Sequence, residues 1–272
     1  MQRRSEQLCR QGRTLAFVPT MGFLHEGHLA LMHEGRTRAD LLVVSIYVNP
    51  TQFAPSEDFE TYPRDLEKDC RLAETIPVDI LFTPDDRDMY AGGCQTFVTP
   101  QGLARRMCGI SRPHFFRGVA TVVSKLFHIV RPQVALFGEK DFQQLTVIRR
   151  MVKDLNFPVD IVGVPTVREA DGLAMSSRNA YLKPEQRAAA LSLSRSLKQA
   201  QAQVAAGETR SEHLVAAAAA MIGSFPDTDI DYIVIVDPET LEDMDVIDRP
   251  ARMAMAVKVG ATRLIDNMPL TP

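Results

Sequence analysis

The sequence is poor in the residues that mark disulfide-rich, metal-binding and membrane proteins. It has no tryptophan and only four cysteines among 272 residues, and no cysteine pair or His/Cys cluster has zinc-site spacing. No stretch approaches the roughly 20 apolar residues of a membrane span, and residues 1–14 lack the apolar core of a signal peptide. These absences predict a cytoplasmic protein. Its thiols are expected to be reduced and mostly packed, at Cys9, Cys70, Cys94 and Cys108.

An excess of charge of one sign is also missing. The chain has 31 basic and 34 acidic residues, which gives a net charge of -3. A near-neutral chain offers no basic field for nucleic acid and no polybasic membrane signal, so neither partner is expected. The hydrophobic share of 45% is ordinary for a globular protein, and the length suits one large domain or two moderate ones.

Short apolar runs alternate with helical patterns in the first part of the chain. Runs rich in β-branched residues indicate buried strands, and strands that alternate with helices predict a parallel sheet covered on both faces. The predicted fold class is therefore α/β, with a Rossmann-like doubly wound parallel sheet that binds ligands beyond the carboxyl ends of its strands. The predicted strands are 14–18, 41–48, 78–82, 134–137 and 159–164, and the predicted helices start at 29, 66, 119 and 142.

The composition changes after Arg178. Two Ala-rich helical stretches, 184–206 and 211–222, precede two predicted strands, 232–236 and 254–259. This pattern predicts a smaller C-terminal α/β domain. We place the first domain at 1–176 and the second at 177–272.

Two histidines follow the first predicted strand. His25 and His28 stand three residues apart at a predicted helix start, where residues i and i+3 share one face. A helix N-terminus attracts phosphate, and imidazoles can donate hydrogen bonds to charge that builds during phosphoryl or adenylyl transfer. The alternative is that one ring caps the turn while the other is packed. A zinc site is disfavoured, because His25-Glu-Gly-His28 lacks the spacing of H-E-x-x-H.

Two amides follow the second predicted strand. Asn49 and Gln52 could bind a hydroxyl or carboxylate of a small substrate. The alternative is turn chemistry, in which Asn49-Pro50 simply ends the strand.

A glycine and a lysine follow the fourth predicted strand. Gly138 permits close approach of the backbone to a ligand, and Lys140 is a flexible charge suited to phosphate. Gln144 could reach a substrate. The alternatives are a solvated Lys140 and an Asp141 that serves only as a helix cap, and the segment lacks the full spacing of a P-loop.

The last segment of interest is a glycine-containing loop that ends in Met175-Ser-Ser-Arg178. Two hydroxyls and an arginine suit a mobile clamp over a triphosphate. The alternative is a domain linker with an N-cap serine.

Taken together, these segments resemble the pantothenate synthetase (pantoate–β-alanine ligase) family of the nucleotidylyltransferase superfamily. Residues 18–28 resemble a variant of the superfamily's H-x-G-H element, 137–144 a second family signature, and 164–179 a third that includes the counterpart of the K-M-S-K-S loop. Leu264-Ile-Asp-Asn267 resembles the family's usual ending. The resemblance implies a C-terminal lid, a homodimer, and an ATP- and Mg²⁺-dependent ligation of pantoate to β-alanine through an acyl-adenylate.

The resemblance also implies roles for individual residues. His28 would be the general acid, and His25, Lys140 and Arg178 would share the catalytic charge. Gln52 and Gln144 would bind pantoate, with Gln52 also near β-alanine, and Asp69 would lie near magnesium. The implied ATP contacts are Pro19, Thr20, Met21, Gly22, Phe23, Leu24, His25, Glu26, Gly27, His28, Gly138, Glu139, Lys140, Asp141, Val167, Met175, Ser176, Ser177 and Arg178.

The sequence departs from the family pattern in two places. Where the family has Arg-Pro-Gly-His-Phe, this chain has Arg112-Pro-His114-Phe115-Phe, so His114 replaces the glycine and Phe115 the histidine. The segment before the first strand is also shorter than the family pattern, which leaves open whether an opening strand or helix is absent.

Two alternatives to the ligase remain from the sequence. One is a different nucleotidyltransferase of the same superfamily, which would not bind pantoate. The other is a catalytically silent nucleotide-binding protein, which the Phe115 departure favours.

Overall fold

The computed structural model of the chain describes residues 1–55 and 57–272. By their internal packing these residues divide into two compact units. The first consists of Met1–Arg105, Arg112–Glu139 and Gln144–Pro165, and the second of Arg106–Ser111, Lys140–Gln143 and Thr166–Pro272. This division follows from packing alone. The domain boundary between residues 176 and 177 stays a prediction.

The first unit is built on a five-stranded parallel sheet with the order β3-β2-β1-β4-β5. After β1 the chain adds β2 and β3 on one side, and it then returns to add β4 and β5 on the other. This reversal confirms the predicted doubly wound parallel sheet, and it puts the switch point between β1 and β4. The strands are β1 Leu15–Thr20, β2 Leu41–Ile46, β3 Ile80–Phe82, β4 Val134–Gly138 and β5 Asp160–Val164.

Apolar side chains cover both faces of this sheet. Phe17, Val43 and Ala135 pack on one face with the apolar side of α6 and α7, while Ala16 and Leu42 pack on the other with α2. Two buried faces explain why the strands have continuous apolar runs instead of alternating ones. The helices of this unit are α1 Gln2–Arg10, α2 Glu26–Arg36, α3 Leu66–Glu74, α4 Asp86–Met89, α6 Phe115–Val130 and α7 Phe142–Asp154, the last from Gln144 onward.

The segment before the first strand is helical. Helix α1 (Gln2–Arg10) occupies this segment. Only Ser5 and Leu8 of this helix are buried.

The second unit combines helices with an antiparallel sheet. Helices α8 (Arg187–Ala205) and α9 (Ser211–Gly223) share one apolar core with the strands β6 (Thr228–Val236), β7 (Ala251–Val259) and β8 (Thr262–Leu270). The short helix α5 (Cys108–Ser111) also belongs to this unit. The two predicted helices and two predicted strands are confirmed. Strand β8 was not predicted, because Asp266, Asn267 and Pro269 interrupt its apolar pattern.

Two expectations from composition can be compared with the structure. Cys108 is buried and Cys9 and Cys70 are partly buried, as the prediction of mostly packed thiols requires, while Cys94 is exposed. Within residues 1–55 and 57–272, no helix is both long enough and apolar enough to cross a membrane.

Candidate active site

The loop after β1 has a backbone that strongly favours glycine. Gly22 has φ +78, and Phe23 beside it also lies in the left-handed region with φ 50. A Cβ on Gly22 would lie 2.9 Å from both Asp69 Oδ2 and Ile46 Cγ2. Both the conformation and the space therefore exclude a side chain at this position.

Asp69 holds this loop in place. The carboxylate is 1% exposed and accepts hydrogen bonds from Phe23 N at 2.8 Å and Leu24 N at 2.7 Å, one on each oxygen. Two backbone donors satisfy the buried charge and fix the left-handed turn. Asp69 therefore joins the first turn of α3 to the loop that leads into α2.

These contacts bear on the predicted magnesium ligand. Both oxygens of Asp69 already accept backbone N–H groups, and no group of three or more His, Cys, Asp or Glu suited to a metal occurs among the residues described, all but Ser56. The assignment of Asp69 to magnesium stays a prediction.

His25 and His28 form the first turn of α2 together. His25 is the N-cap, and its Nδ1 accepts from Gly27 N at 3.1 Å, while His28 Nδ1 accepts from His25 N at 3.3 Å. This is a reciprocal capping box made of two imidazoles, whose ring centroids are 4.1 Å apart. The alternative predicted that one ring caps the turn while the other is packed; capping is confirmed, but both rings take part in it.

The caps decide which ring nitrogen carries the proton. A nitrogen that accepts a hydrogen bond cannot carry hydrogen, so each neutral ring has its proton on Nε2. Capping therefore presents two Nε2–H donors from the N-terminus of a helix, where negative charge is favoured. The capping bonds use Nδ1 of each ring, whereas the predicted phosphate contacts use Nε2. The two roles are therefore compatible.

Asn49 orients Gln52 through a buried network. Asn49 is 1% exposed, and its Nδ2 donates to Gln52 Oε1 at 3.0 Å and to the Gly118 carbonyl at 3.2 Å. Its Oδ1 accepts from Thr51 Oγ1 at 3.0 Å and from Tyr90 OH at 2.9 Å. Burial raises the pKa of Tyr90, which keeps the phenol protonated as a donor at neutral pH. Asn49 also caps the 3₁₀ turn Pro50–Gln52, as the turn alternative predicted.

This network gives Gln52 a preferred direction of recognition. Because Oε1 accepts from Asn49, the NH₂ end of the amide is the end that can donate to a substrate oxygen. If Gln52 binds pantoate, as the sequence resemblance implies, Gln52→Glu should raise the KM for pantoate by about tenfold or more, since a carboxylate would face an anionic substrate with no donor. Steady-state kinetics with pantoate and ATP varied in turn would measure this, and an equal rise in both KM values would contradict it.

Gly118 lets helix α6 touch the backbone of this turn. A Cβ at this position would overlap the Thr51 carbonyl and would lie 2.9 Å from Gln52 N. We expect Gly118→Ala to push the turn away and to destabilise the fold by about 1–3 kcal/mol through overpacking. On the same assignment of Gln52 to pantoate, the KM for pantoate should rise as well. Urea denaturation and kinetics would test this, with Gly223→Ala as a control, since a Cβ there meets nothing within 4 Å.

The Arg112–Phe115 segment, in which the sequence departs from the expected pattern, supports the Gln52 turn. Arg112 makes two 2.6 Å bonds to Glu57 and donates to the Gln52 carbonyl at 3.0 Å. Its guanidinium carbon lies 3.9 Å from the centroid of the Phe115 ring. His114 is exposed at the start of α6. Phe115 therefore shields an arginine that supports the Gln52 turn.

The remaining predicted residues of the first unit lie on its strands and their ends. Pro19 and Thr20 end β1, Met21 lies in the loop, and Glu26 and Gly27 lie in the first turn of α2. Gly138 ends β4 beside β1, Glu139 begins a 3₁₀ turn, and Gln144 lies in the first turn of α7.

Lys140 and Asp141 belong to the second unit. The Lys140 side chain is 18% exposed, and its Nζ lies 3.6 Å from Asp141 Oδ2. The backbone carbonyl of Lys140 accepts from Asn267 Nδ2 at 2.9 Å. The Lys140 side chain is therefore less exposed than expected for a solvated surface lysine, which was the alternative.

The loop from Val167 to Arg178 is also part of the second unit. It closes on itself through a bond from Met175 N to the Val167 carbonyl at 2.9 Å, around Gly172 with φ +102. Ser176 Oγ accepts from Arg178 N at 3.2 Å and caps a 3₁₀ turn, Ser177–Tyr181. The capping alternative is confirmed for Ser176, and the clamp over a triphosphate stays a prediction.

Sequence reasoning missed several residues that support the site. Tyr90, Gly118 and Arg112 lie far along the chain from Gln52, and no local pattern links them to it. The only signal was the departure at His114-Phe115, which marked the segment without showing what it contacts.

Known proteins resemble this chain along its whole length. The family model for pantoate-beta-alanine ligase matches residues 1–269. The pantothenate synthetase of Desulfatibacillum aliphaticivorans is 56% identical over 272 residues, which is 100% of this chain and 97% of the relative. That of Syntrophotalea carbinolica is 57% identical over 267 residues, with 98% and 94% covered.

Solved structures agree with these sequence relatives. The pantothenate synthetase of Thermus thermophilus is 47% identical, with a TM-score of 0.92 and 95% of this chain and 94% of that chain covered. The pantoate-beta-alanine ligase of Francisella tularensis, complexed with Beta-gamma ATP and beta-alanine, is 32% identical, with a TM-score of 0.80 and 98% and 94% covered. From full-length similarity in sequence and in fold, the chain belongs to the pantoate-beta-alanine ligase family.

Proposed function

We propose that the enzyme condenses (R)-pantoate with β-alanine to give pantothenate, with ATP converted to AMP and pyrophosphate through a pantoyl-adenylate. The observation that carries the proposal is the imidazole capping box at the start of α2, which directs two Nε2–H donors from a helix N-terminus. Family membership and the ATP and beta-alanine of the Francisella tularensis complex support the choice of substrates.

The first step joins two anions. A carboxylate oxygen of pantoate attacks the α-phosphorus of ATP, a new P–O bond forms, and the bond to the bridging oxygen of the β-phosphate breaks to release pyrophosphate. Such a step needs alignment and neutralisation of charge more than covalent help from the protein. His25 and His28 would donate to phosphate oxygens, with His28 acting as general acid on the leaving group, and Lys140 and Arg178 would add positive charge. Magnesium is expected to arrive with ATP as part of the substrate.

Pantoate must be oriented before it can attack. We assign Gln52 and Gln144 to this task, and Gln52 also to the neighbourhood of β-alanine. The fixed direction of the Gln52 amide favours an oxygen acceptor on the substrate, and pantoate supplies both hydroxyls and a carboxylate. Support of the Gln52 turn by Arg112 and Asn49 limits its movement.

The second step transfers the pantoyl group. The amine nitrogen of β-alanine attacks the acyl carbon, the amide bond forms, the C–O bond to the phosphate breaks, and AMP leaves as the nitrogen loses a proton. An acyl-adenylate hydrolyses in water, so its surroundings must exclude solvent. We assign this shielding and the rest of the nucleotide contacts to Val167 and to the segment Met175–Arg178. We also propose that the enzyme is a cytoplasmic homodimer.

Release of AMP tests this function directly. ATP, magnesium and pantoate would be supplied with and without β-alanine, and AMP and pyrophosphate would be measured. AMP that depends strictly on both pantoate and β-alanine is the expected result, and it would show that Phe115 is tolerated. Nucleotidyl transfer without any need for pantoate would favour a different nucleotidyltransferase, and ATP binding without turnover would favour a silent nucleotide-binding protein.

A further inference from the structure

Strand β8 carries two adjacent polar residues in the core of the second unit. Asp266 is 3% exposed and Asn267 is 4% exposed, in a strand whose other buried positions are mainly apolar. Burial of polar side chains is unfavourable unless each of them is hydrogen-bonded. The partners of this pair therefore show what the two residues do.

Asn267 holds the backbone of Lys140. Its Nδ2 donates to the Lys140 carbonyl at 2.9 Å, and its Oδ1 accepts from Arg252 Nη1 at 2.8 Å. The Arg252 guanidinium carbon in turn lies 4.2 Å from the centroid of the Phe142 ring. The turn that carries Lys140 is thus held by the hydrogen bond to the Lys140 carbonyl, and Phe142, two residues later, packs against Arg252.

Asp266 holds the other predicted nucleotide segment of this unit. Its two oxygens accept from Arg168 at 2.7 and 2.9 Å, and Arg168 also donates to the Gly172 carbonyl at 3.1 Å. Arg168 pairs with Ala174 across the loop, directly before Met175. Asp266 therefore braces the base of the loop that ends in Met175–Arg178.

The two anchors are coupled to each other. The backbone N–H of Asn267 donates to Asp266 Oδ1 at 2.8 Å, and both residues lie on a strand paired with β7 along its length. A rigid strand fixes its side chains more accurately than a loop does. The Lys140 turn and the Val167–Arg178 loop therefore share one support.

We propose that Asp266 and Asn267 are positioning residues for ATP, which set the Lys140 turn and the Val167–Arg178 loop at a fixed separation. This inference rests on the proposed function, in which both segments contact the nucleotide. It gives a role to the Leu264–Asn267 motif, which the ligase mechanism leaves unused. The competing explanation is that the pair only stabilises the second unit.

Asn267→Asp is the informative variant. It keeps an oxygen for Arg252 but replaces the donor to the Lys140 carbonyl with an acceptor, so the turn should shift. We expect a rise of about tenfold or more in the KM for ATP, with the KM for pantoate within about twofold of its original value. Asp266→Asn, which weakens the paired bonds to Arg168, should act in the same direction and serves as a second variant.

Leu264→Ala provides the matched control for stability. Leu264 is buried on the same strand but belongs to the apolar core. Its loss should lower the Tm without changing the KM for ATP at a temperature well below the transition. If Asn267→Asp and Asp266→Asn lower the Tm while the KM for ATP stays unchanged, as in Leu264→Ala, the positioning role is refuted.

Lys140→Ala separates this inference from the function on which it rests. A raised KM for ATP in Lys140→Ala, together with a raised value in Asn267→Asp, supports both. A raised value in Lys140→Ala alone overturns the positioning role and leaves the proposed function intact. An unchanged value in Lys140→Ala refutes the phosphate contact itself, and with it the positioning of that contact.

Discussion

Replacement of His28 by alanine is expected to lower kcat by about 10²-fold or more, with a smaller effect on the KM for ATP. The reason is that His28 is assigned to charge that develops as pyrophosphate leaves, so its contribution is larger in the transition state than in the bound substrate. Measurement of steady-state rates over a range of ATP concentrations would separate the two parameters. An unchanged kcat would refute the role.

A second substitution distinguishes donation by His28 from its capping role. Asparagine can place an acceptor near the position of Nδ1, where His28 accepts from His25 N, but it has no donor at the position of Nε2. His28→Asn should therefore regain much of the thermal stability lost in His28→Ala and remain as slow. Recovery of activity in His28→Asn would show that the cap, and not the Nε2–H donor, is what the reaction requires.

Lys140→Ala is expected to lower kcat/KM for ATP by at least about tenfold, because a charge-assisted bond to phosphate contributes about 1.5–3 kcal/mol. Both kcat and KM should change, since the charge acts on bound ATP and on the transition state. Normal kinetics at limiting and at saturating ATP would count against a phosphate contact.

The neighbour of Lys140 supplies a control for local charge. Asp141 Oδ2 lies 3.6 Å from Lys140 Nζ, and the carboxylate is 46% exposed, so the pair contributes little to stability. Asp141→Asn should therefore leave the fold unchanged and reduce ATP use less than Lys140→Ala does. An equal loss in both variants would mean that the pair, and not the lysine alone, acts on the nucleotide.

The strand pattern and the family motifs were predictable because they are local in sequence. Buried parallel strands have continuous apolar runs, and a histidine pair at a helix start can be recognised from its spacing alone. The contacts of Asn49 with Gly118 and of Asp69 with Phe23 depend on tertiary packing between segments far apart in sequence. No periodicity encodes such contacts, so they could not be derived from one sequence.

Strand β8 and helix α1 also could not be derived from the sequence alone. β8 contains two polar residues whose side chains bond to Arg168, Arg252 and Lys140 elsewhere in the second unit, and α1 buries only two residues. Neither segment was predicted as a helix or a strand, because the bonds that compensate its polar residues are not visible in the sequence.

At the first turn of α2, the residues that would cap the helix best are not the residues that the proposed reaction needs. Aspartate or serine is a better N-cap than histidine, and glutamate is the usual partner three residues later. His25→Asp combined with His28→Glu would therefore strengthen the helix and remove both Nε2–H donors, placing negative charge where phosphates are proposed to bind. A search for heat-resistant variants that scored folding alone would favour such changes, and it would return a more robust protein that no longer performs the reaction.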